Sequence, residues 1–290
     1  MLTLPPPLAS FLEPWLFMSL AISYLPSTIL NAALALDLGT LLSPSSLRSA
    51  WFGRFWTHVG PTIRSNAEQK VIPLLQGRVT HGLVPAADGP ARQQHPAVSG
   101  TVLELGPGTG LWTSLFGTRS QAAHSLGPFT KIYGVEPNAS VHAQLRQRLA
   151  AAGIGDGLYE VVPVGVQDLR HHPESGIRPD SIDCIVTVMC LCSIPDPREN
   201  IRELYKYLKP GGRWYVYEHV QCLASQPRGM RWYQRLLNCI WPTIIGGCEM
   251  TRDTAKYLRE AGPWSDSDLF PLADEPWYFT MPHIIGVLRK

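Results

Sequence analysis

The 290-residue chain is short of charge. Asp, Glu, Lys and Arg make up 17% of it, against about a quarter of an average globular protein. Its 25 basic and 23 acidic residues leave a formal net charge of +2. With no basic excess there is no electrostatic footprint for nucleic acid, and no acidic block marks a solvated tail. The six cysteines include no CxxC pair, which excludes a secreted disulfide scaffold and a zinc ribbon and fits a reducing compartment. His171-His172 has no further ligand at metal spacing, so no metal site is expected. No Lys or Arg precedes Arg48. The apolar N-terminal run therefore lacks the basic segment of a cleaved secretory signal. No internal repeat and no low-complexity segment is visible, and nothing points to a protein partner.

What is abundant is apolar: 45% hydrophobic residues, nine Trp and 26 Pro. Trp15 to Leu36 carries no charge and is long enough for a membrane helix, which needs about 18 such residues or more. It also holds Ser19, Ser23, Pro26, Ser27, Thr28 and Asn31, and Pro26 predicts a kink or break. Two readings stay open. The segment is a pair of buried helices capping a soluble domain, or it associates with a membrane and leaves Arg48 and Arg54 on the cytosolic side. Residues 50–76 read as an amphipathic helix broken near Pro61, with Trp51, Phe55, Trp56, Val59 and Ile63 at helical spacing. Residues 77–100 read as loop. The division expected is an apolar N-terminal helical region over 1–95, cap or anchor, and a second domain over 96–290.

From residue 101 the pattern alternates. Thr101–Gly106 reads as a buried strand, followed by a helix from about Leu111. Lys131–Glu136 is a second strand, and Ala139–Ala151 a helix ending at Gly153. Tyr159–Val166, Ser181–Val188 and Arg213–Val220 read as further strands, with a helix over Pro197–Leu208. PWYFTMP and HIIGVLRK read as two last strands around Pro282. This grammar predicts an α/β fold, a Rossmann-like doubly wound, mostly parallel sheet of seven strands.

The chemistry sits at the ends of these strands. Glu104-Leu-Gly106-Pro-Gly108-Thr-Gly110 joins a strand to a predicted helix. Glycines there permit a tight turn and close approach of a ligand. The spacing is acidic-x-Gly-x-Gly-x-Gly, not that of a dinucleotide site. Glu104 is placed to meet an ammonium group, which favours S-adenosylmethionine over a nicotinamide nucleotide. Glu136, in Gly-Val-Glu-Pro-Asn, ends the next strand, where a carboxylate accepts ribose hydroxyls. In Gly165-Val166-Gln167-Asp168, Val166 is placed to pack on adenine and Gln167 or Asp168 to accept from its amino group. His219 ends the fifth strand. It reads equally as a base that takes the acceptor's proton and as a packed or capping imidazole. Cys190 and Cys192 read as buried packing thiols.

Taken together these elements resemble the class I S-adenosylmethionine-dependent methyltransferases over residues 101–220. VEPN, LCSIPDP, LKPGG, YEHV, GGCEMTRDT and PHIIGVLRK extend the resemblance, over about 101–290, to the methyltransferase-like protein 7 group. The resemblance implies a Rossmann-like methyltransferase with S-adenosyl-L-methionine as cofactor and a hydrophobic small-molecule substrate. Members of that group carry a membrane-associating apolar N-terminus. The animal members act on thiols, and fungal relatives occur among polyketide-tailoring enzymes. It places cofactor contacts on Glu104, Gly106, Gly108, Gly110, Glu136, Pro137, Asn138, Gln167 and Asp168. Met189 falls at the methyl-donor end, Leu191, Cys192 and Ser193 line the substrate side, and His219 is the candidate catalytic residue. O-methylation of a polyketide-like molecule is the expected reaction, with thiol or nitrogen acceptors open. A non-methylating enzyme of the same fold, such as a pericyclase, and a degenerate binding protein are the rival classes. The expected location is the cytosolic face of a membrane, such as the endoplasmic reticulum, or the cytoplasm. Gly117–Thr130 looks longer than its counterpart in the family.

Overall fold

The computed structural model describes residues 5–85, 93–117, 119 and 125–290. Four helices come first: α1 (Pro6–Ser23), α2 (Leu25–Leu34), α3 (Leu38–Leu42) and α4 (Pro44–Leu75). An alternating series follows: β1 (Gly100–Leu105), β2 (Phe129–Val135), α5 (Ala139–Ala151), β3 (Tyr159–Val162), β4 (Ile182–Val188), α6 (Pro197–Tyr207) and β5 (Leu208–His219). The chain closes with α7 (Arg228–Asn238), α8 (Trp241–Ile244), α9 (Thr254–Arg259), β6 (Asp266–Pro271) and β7 (His283–Arg289). The strands form one sheet in the order β3-β2-β1-β4-β5-β7-β6. β1 to β5 run parallel, and β7 is antiparallel to both β5 and β6. This is the Rossmann-like α/β architecture expected of the sequence.

Both faces of the sheet are covered, so successive residues alternate between two cores. Val102, Val186, Tyr215 and Val287 enter one, with Val71 and Leu75 of α4 and Leu145 of α5. Leu103, Ile185, Trp214 and Leu288 enter the other, with Leu204 of α6. A third cluster joins the N-terminal helices to the C-terminal half through Met18, Ala21, Phe55, Val59, Leu237 and Trp241.

That third cluster fixes α1. Phe17 stacks on Trp241 at 5.8 Å and meets Phe55 edge-on at 5.1 Å. Trp15 Nε1 donates to the Tyr233 hydroxyl (2.8 Å), which in turn donates to the Phe11 carbonyl. Trp51 Nε1 donates to the Ala21 carbonyl at 2.7 Å. The opposite face of the same helices is apolar and exposed, including Leu16, Leu20, Leu30, Leu34 and Leu36. By length and composition Pro6–Leu34 is apolar enough to cross a bilayer; 22% of its apolar 18-residue window is buried against the protein, and it divides at Tyr24. Pro26 falls in the first turn of α2, where its missing N–H costs no hydrogen bond.

Several expectations are corrected. The helix of 50–76 is not broken near Pro61: α4 runs through it for 32 residues. Proline deletes one ladder bond there, and packing on both sides of the residue holds the axis. No α-helix starts at Leu111 among the described residues; a 3-10 turn, Thr113–Leu115, stands in its place. The chain turns away at Gly117, where a Cβ would lie 2.4 Å from the Ala152 carbonyl oxygen. The longer segment Gly117–Thr130 lies partly outside the described residues. The third strand stops at Val162, and Val166–His171 is a 3-10 helix. PWYFTMP is a turn region, closed by Phe279 N–H to the Pro276 carbonyl (3.1 Å); the partner of β7 is β6 instead. Two prolines in seven residues leave that segment too few donors for a ladder.

Candidate active site

All five parallel strands end at the same edge of the sheet, where ligands of such folds bind. β1 leads into Gly106-Pro107-Gly108-Thr109-Gly110, whose glycines sit at φ 61°, 57° and 82°. They do different things. A Cβ on Gly106 would lie 2.6 Å from the Cys190 sulfur, and one on Gly110 2.9 Å from Leu145 Cδ1, so these two allow close packing. At Gly108 the nearest atom is the Trp56 indole nitrogen, 3.8 Å away. A side chain at Gly108 would thus rest in van der Waals contact with the Trp56 indole, which covers the loop.

Glu136 ties this loop down. Its carboxylate accepts from Gly108 N–H (2.9 Å) and Asn138 N–H (2.8 Å), and His142 Nε2 donates to its carbonyl at 2.8 Å. Burial pushes the carboxyl upward from the usual range, against those two backbone hydrogen bonds. Asn138 caps α5 through Ser140 N–H (3.1 Å) and donates to the Ser49 carbonyl of α4 at 3.1 Å.

Glu104 is satisfied from two strands away. The Tyr159 hydroxyl, on β3, donates to Glu104 Oε2 at 2.5 Å. β2 lies between them, and Glu104 pairs in register with Gly134. A Cβ on Gly134 would fall 2.2 Å from the Tyr159 hydroxyl oxygen. Gly134 is thus the gap through which the phenol reaches. Burial raises the Glu104 carboxyl to about 7; the Tyr159 hydrogen bond opposes this and the Glu136 charge adds to it.

α4 forms a wall of this site, a role that the sequence reading did not assign to it. Gly53 and Gly60, seven residues apart on one helical face, let it approach closely. A Cβ on Gly53 would meet Ser140 Oγ at 2.6 Å, and one on Gly60 would meet Leu111 Cδ1 at 3.1 Å. Between them Trp56 stacks on Phe52 at 5.4 Å. Further along, Arg64 donates to the Leu111 carbonyl (2.6 Å) and to Ser114 Oγ (2.9 Å). The paired small residues flanking a Trp were the available signal.

Beyond β4, Met189 is held at φ 53°, a conformation that costs a non-glycine residue energy and clusters at functional sites. The next two amides, of Cys190 and Leu191, donate to the carboxylate of Glu218 at 3.0 and 3.1 Å. Arg252 donates to the Leu191 and Ile194 carbonyls at 2.7 and 2.6 Å. Glu218 and Arg252 build the loop, and neither was singled out from the sequence. Glu218 is fully buried, which drives its carboxyl well above the ordinary range. His219 is 7% exposed, with Nε2 3.1 Å from Cys248 Sγ. Cys192 is buried beside both, and Ser193 is exposed. The closeness of the two thiols holds Cys192 low and pushes Cys248 high.

The loop after β3 lies at the same edge of the sheet. Val166 is buried, Gln167 is exposed and donates to Asp168 Oδ2 at 2.7 Å, and Pro137 is exposed. A groove lined by Gly100, Asp183, Lys209 and Arg213 lies at the other, amino end of the strands, away from this constellation.

The gap at Gly134 is directly testable. Gly134→Ala forces the Tyr159 ring aside and should lower stability by about 2–4 kcal/mol. In a Tyr159→Val background the same change should cost much less, because the clash partner is gone. Additive losses in denaturant unfolding would show that the two residues do not depend on one another.

A profile of the family described as "Methyltransferase domain" matches residues 81–260. The thiol S-methyltransferase TMT1B of Rattus norvegicus is 30% identical over 193 residues, covering 66% of this chain and 70% of that protein. The thiol S-methyltransferase TMT1A of Homo sapiens is 32% identical over 111 residues, 38% of this chain and 44% of that one. Among solved structures, a putative O-methyltransferase from Nostoc punctiforme aligns with a TM-score of 0.49 at 13% identity, covering 97% of this chain and 71% of the other. The chain belongs to the methyltransferase-domain family and is a class I S-adenosylmethionine-dependent methyltransferase.

Proposed function

We propose that this enzyme methylates the sulfur of an apolar small-molecule thiol. The observation that carries this reading is the state of His219. Its Nε2 is engaged with Cys248 and the ring is buried, so it is not presented as the base that an alcohol acceptor needs. A thiol, with a pKa of about 8.5, is partly ionised near neutral pH and needs less help. The names of the rat and human relatives support the same acceptor. Oxygen methylation of a polyketide-like molecule remains the rival within the same fold. A pair of acceptors with one hydrocarbon skeleton, differing only in SH or OH, separates them. The account expects mass gain by one methyl on the thiol with little on the alcohol; the reverse preference overturns it.

The residues fit the cofactor. The glycine loop at φ 61°, 57° and 82° lies beneath Trp56, and two buried carboxylates stand at adjacent strand ends. When bound, S-adenosylmethionine supplies the sulfonium-linked methyl group. In this proposal Glu104 takes its ammonium group and Glu136 its ribose hydroxyls. Pro137, Asn138, Gln167 and Asp168 border the nucleoside, and Met189 and Cys190 border the methyl. The chain's own contribution is orientation in a site from which α4 excludes water.

Glu104 gives this assignment a pH signature. Burial raises its carboxyl in the folded protein to about 7, above the ordinary carboxyl value of 4.5. Its contribution to stability is therefore present below the unfolded value and is lost as pH rises through the folded one. Cofactor binding runs the other way, since an ammonium group needs the ionised carboxylate. Affinity by calorimetry should fall up to about tenfold per pH unit below pH ~7 and level off above it. Glu104→Gln should flatten this profile and weaken binding at high pH. A flat wild-type profile would remove Glu104 from the ammonium site. Gly108→Val puts a branched side chain at φ 57° against Trp56 and should abolish binding by deforming the loop; retained affinity contradicts the placement.

The exposed apolar side of α1–α3 supports attachment to a membrane surface rather than a span. α1 is fixed on its inner side by Phe17 and Trp15, while Leu16, Leu34, Leu36 and Leu42 are each more than two-thirds exposed. Trp232 and Leu236 of α7, the helix that holds Trp15, are exposed as well. Such a face lies in the headgroup boundary. In vesicle flotation the wild type should float. A Leu16→Glu, Leu34→Glu, Leu36→Glu variant should stay behind with unchanged cofactor affinity. Extraction of the wild type by alkaline carbonate is expected; resistance to it would favour a span.

A further inference from the structure

Three buried side chains that the cofactor cradle does not use converge beyond the ends of β4 and β5. Cys192 comes from the loop after β4, His219 is the last residue of β5, and Cys248 follows α8. Their Sγ, Nε2 and Sγ atoms lie within 4.8 Å of one another, and Nε2 is 3.1 Å from Cys248 Sγ. All three residues are less than a tenth exposed. Two polar atoms beside them have no hydrogen-bond partner: His219 Nδ1 and Trp241 Nε1. A buried thiol pair alone is ordinary packing. A thiol pair converging with an imidazole is a sulfur–nitrogen ligand set, and the Trp241 indole N–H is a donor available to a coordinated sulfur.

The dimensions suit an ion. Metal–sulfur bonds of about 2.3 Å and metal–nitrogen bonds of about 2.0–2.1 Å in a tetrahedron separate two sulfurs by ~3.8 Å and sulfur from nitrogen by ~3.5 Å. The three atoms reach those separations with shifts of about an ångström or less. The frame behind them is braced. Glu249 N–H donates to the Cys192 carbonyl (2.9 Å), binding the Cys248 segment to the Cys192 loop. Asn238 of α7 donates to Glu249 Oε2 (2.7 Å) and accepts from Met250 N–H (2.7 Å). His219 is held by its register with His283 of β7. Trp241 stands over the cluster with its indole N–H unspent, as an N–H···S donor to a metal thiolate would be.

We propose that Cys192 Sγ, His219 Nε2 and Cys248 Sγ bind a single thiophilic divalent ion of the zinc class, leaving a fourth position for a non-protein donor. On binding, the two thiols release their protons to solvent and both sulfurs coordinate as thiolates, with no change of oxidation state. The absence of CxxC spacing hides the set in the sequence, because its members come from three elements 27 and 29 residues apart.

The test uses the full chain, kept reduced with a phosphine and stripped with a chelator. Titration with Co²⁺ should give one equivalent bound, with thiolate-to-cobalt charge-transfer absorption that Zn²⁺ abolishes. Cys192→Ser and Cys248→Ser should each weaken that absorption, and His219→Ala should lower metal affinity by at least about tenfold. Cys222→Ser, a buried cysteine elsewhere, should leave the spectrum unchanged. Because the core variants are at risk of misfolding, zinc should also raise the melting temperature of the wild type itself. Three results overturn the proposal: no stoichiometric cobalt, a charge-transfer band that survives both serine substitutions, or a Cys192–Cys248 disulfide in the unreduced chain.

Discussion

Two buried carboxylates end adjacent parallel strands, and the site is arranged around keeping them satisfied. Glu104 takes a hydroxyl from Tyr159, across a strand that Gly134 leaves open. Glu136 takes two backbone amides, one from the glycine loop and one from the start of α5. Leaving a buried acceptor unpaired costs about 1–3 kcal/mol, more for a charge. Loss of the Glu136 carboxylate therefore frees the glycine loop and the start of α5 together. The same bonds leave lone pairs on each carboxylate, so both remain open to a ligand that supplies donors.

The second constraint is α4. Asn138 holds Ser49, Gly53 rests on Ser140, Trp56 roofs Gly108 and Arg64 holds Leu111. The N-terminal helices and the glycine loop are thus mechanically continuous. α1 docks on α4, α7 and α8 through Trp51, Tyr233 and Trp241. α4 is thus the one helix between α1 and the glycine loop.

Local features were legible in the sequence and long-range ones were not. The helix at Ala139–Ala151 appears with the bounds expected, because Asn138 caps its start and Gly153 (φ 76°) ends it. The glycine loop, Glu104 and Glu136 stand at the strand ends where alternation put them. In place of a helix at Leu111 stands a 3-10 turn, and Gly117 packs against the Ala152 carbonyl, 35 residues distant, a contact no local pattern reveals. PWYFTMP reads as a strand beside Pro282, yet its two prolines leave a turn region there. Pro61 looked like a helix end, yet burial of Phe55, Val59, Ala67 and Val71 on either side outweighs one lost bond. His219 was read by its strand position; its neighbours come from other elements, so no pattern along the chain reveals them.

The claim on which the rest depends is that the sheet edge and α4 together hold S-adenosylmethionine. A crystal structure of the chain with S-adenosylhomocysteine tests it most directly. The account predicts the ammonium group on Glu104, the ribose hydroxyls on Glu136, and Trp56 in van der Waals contact with the bound molecule above Gly108. A bound molecule that touches no residue of α4, or whose ribose lies away from Glu136, would contradict it.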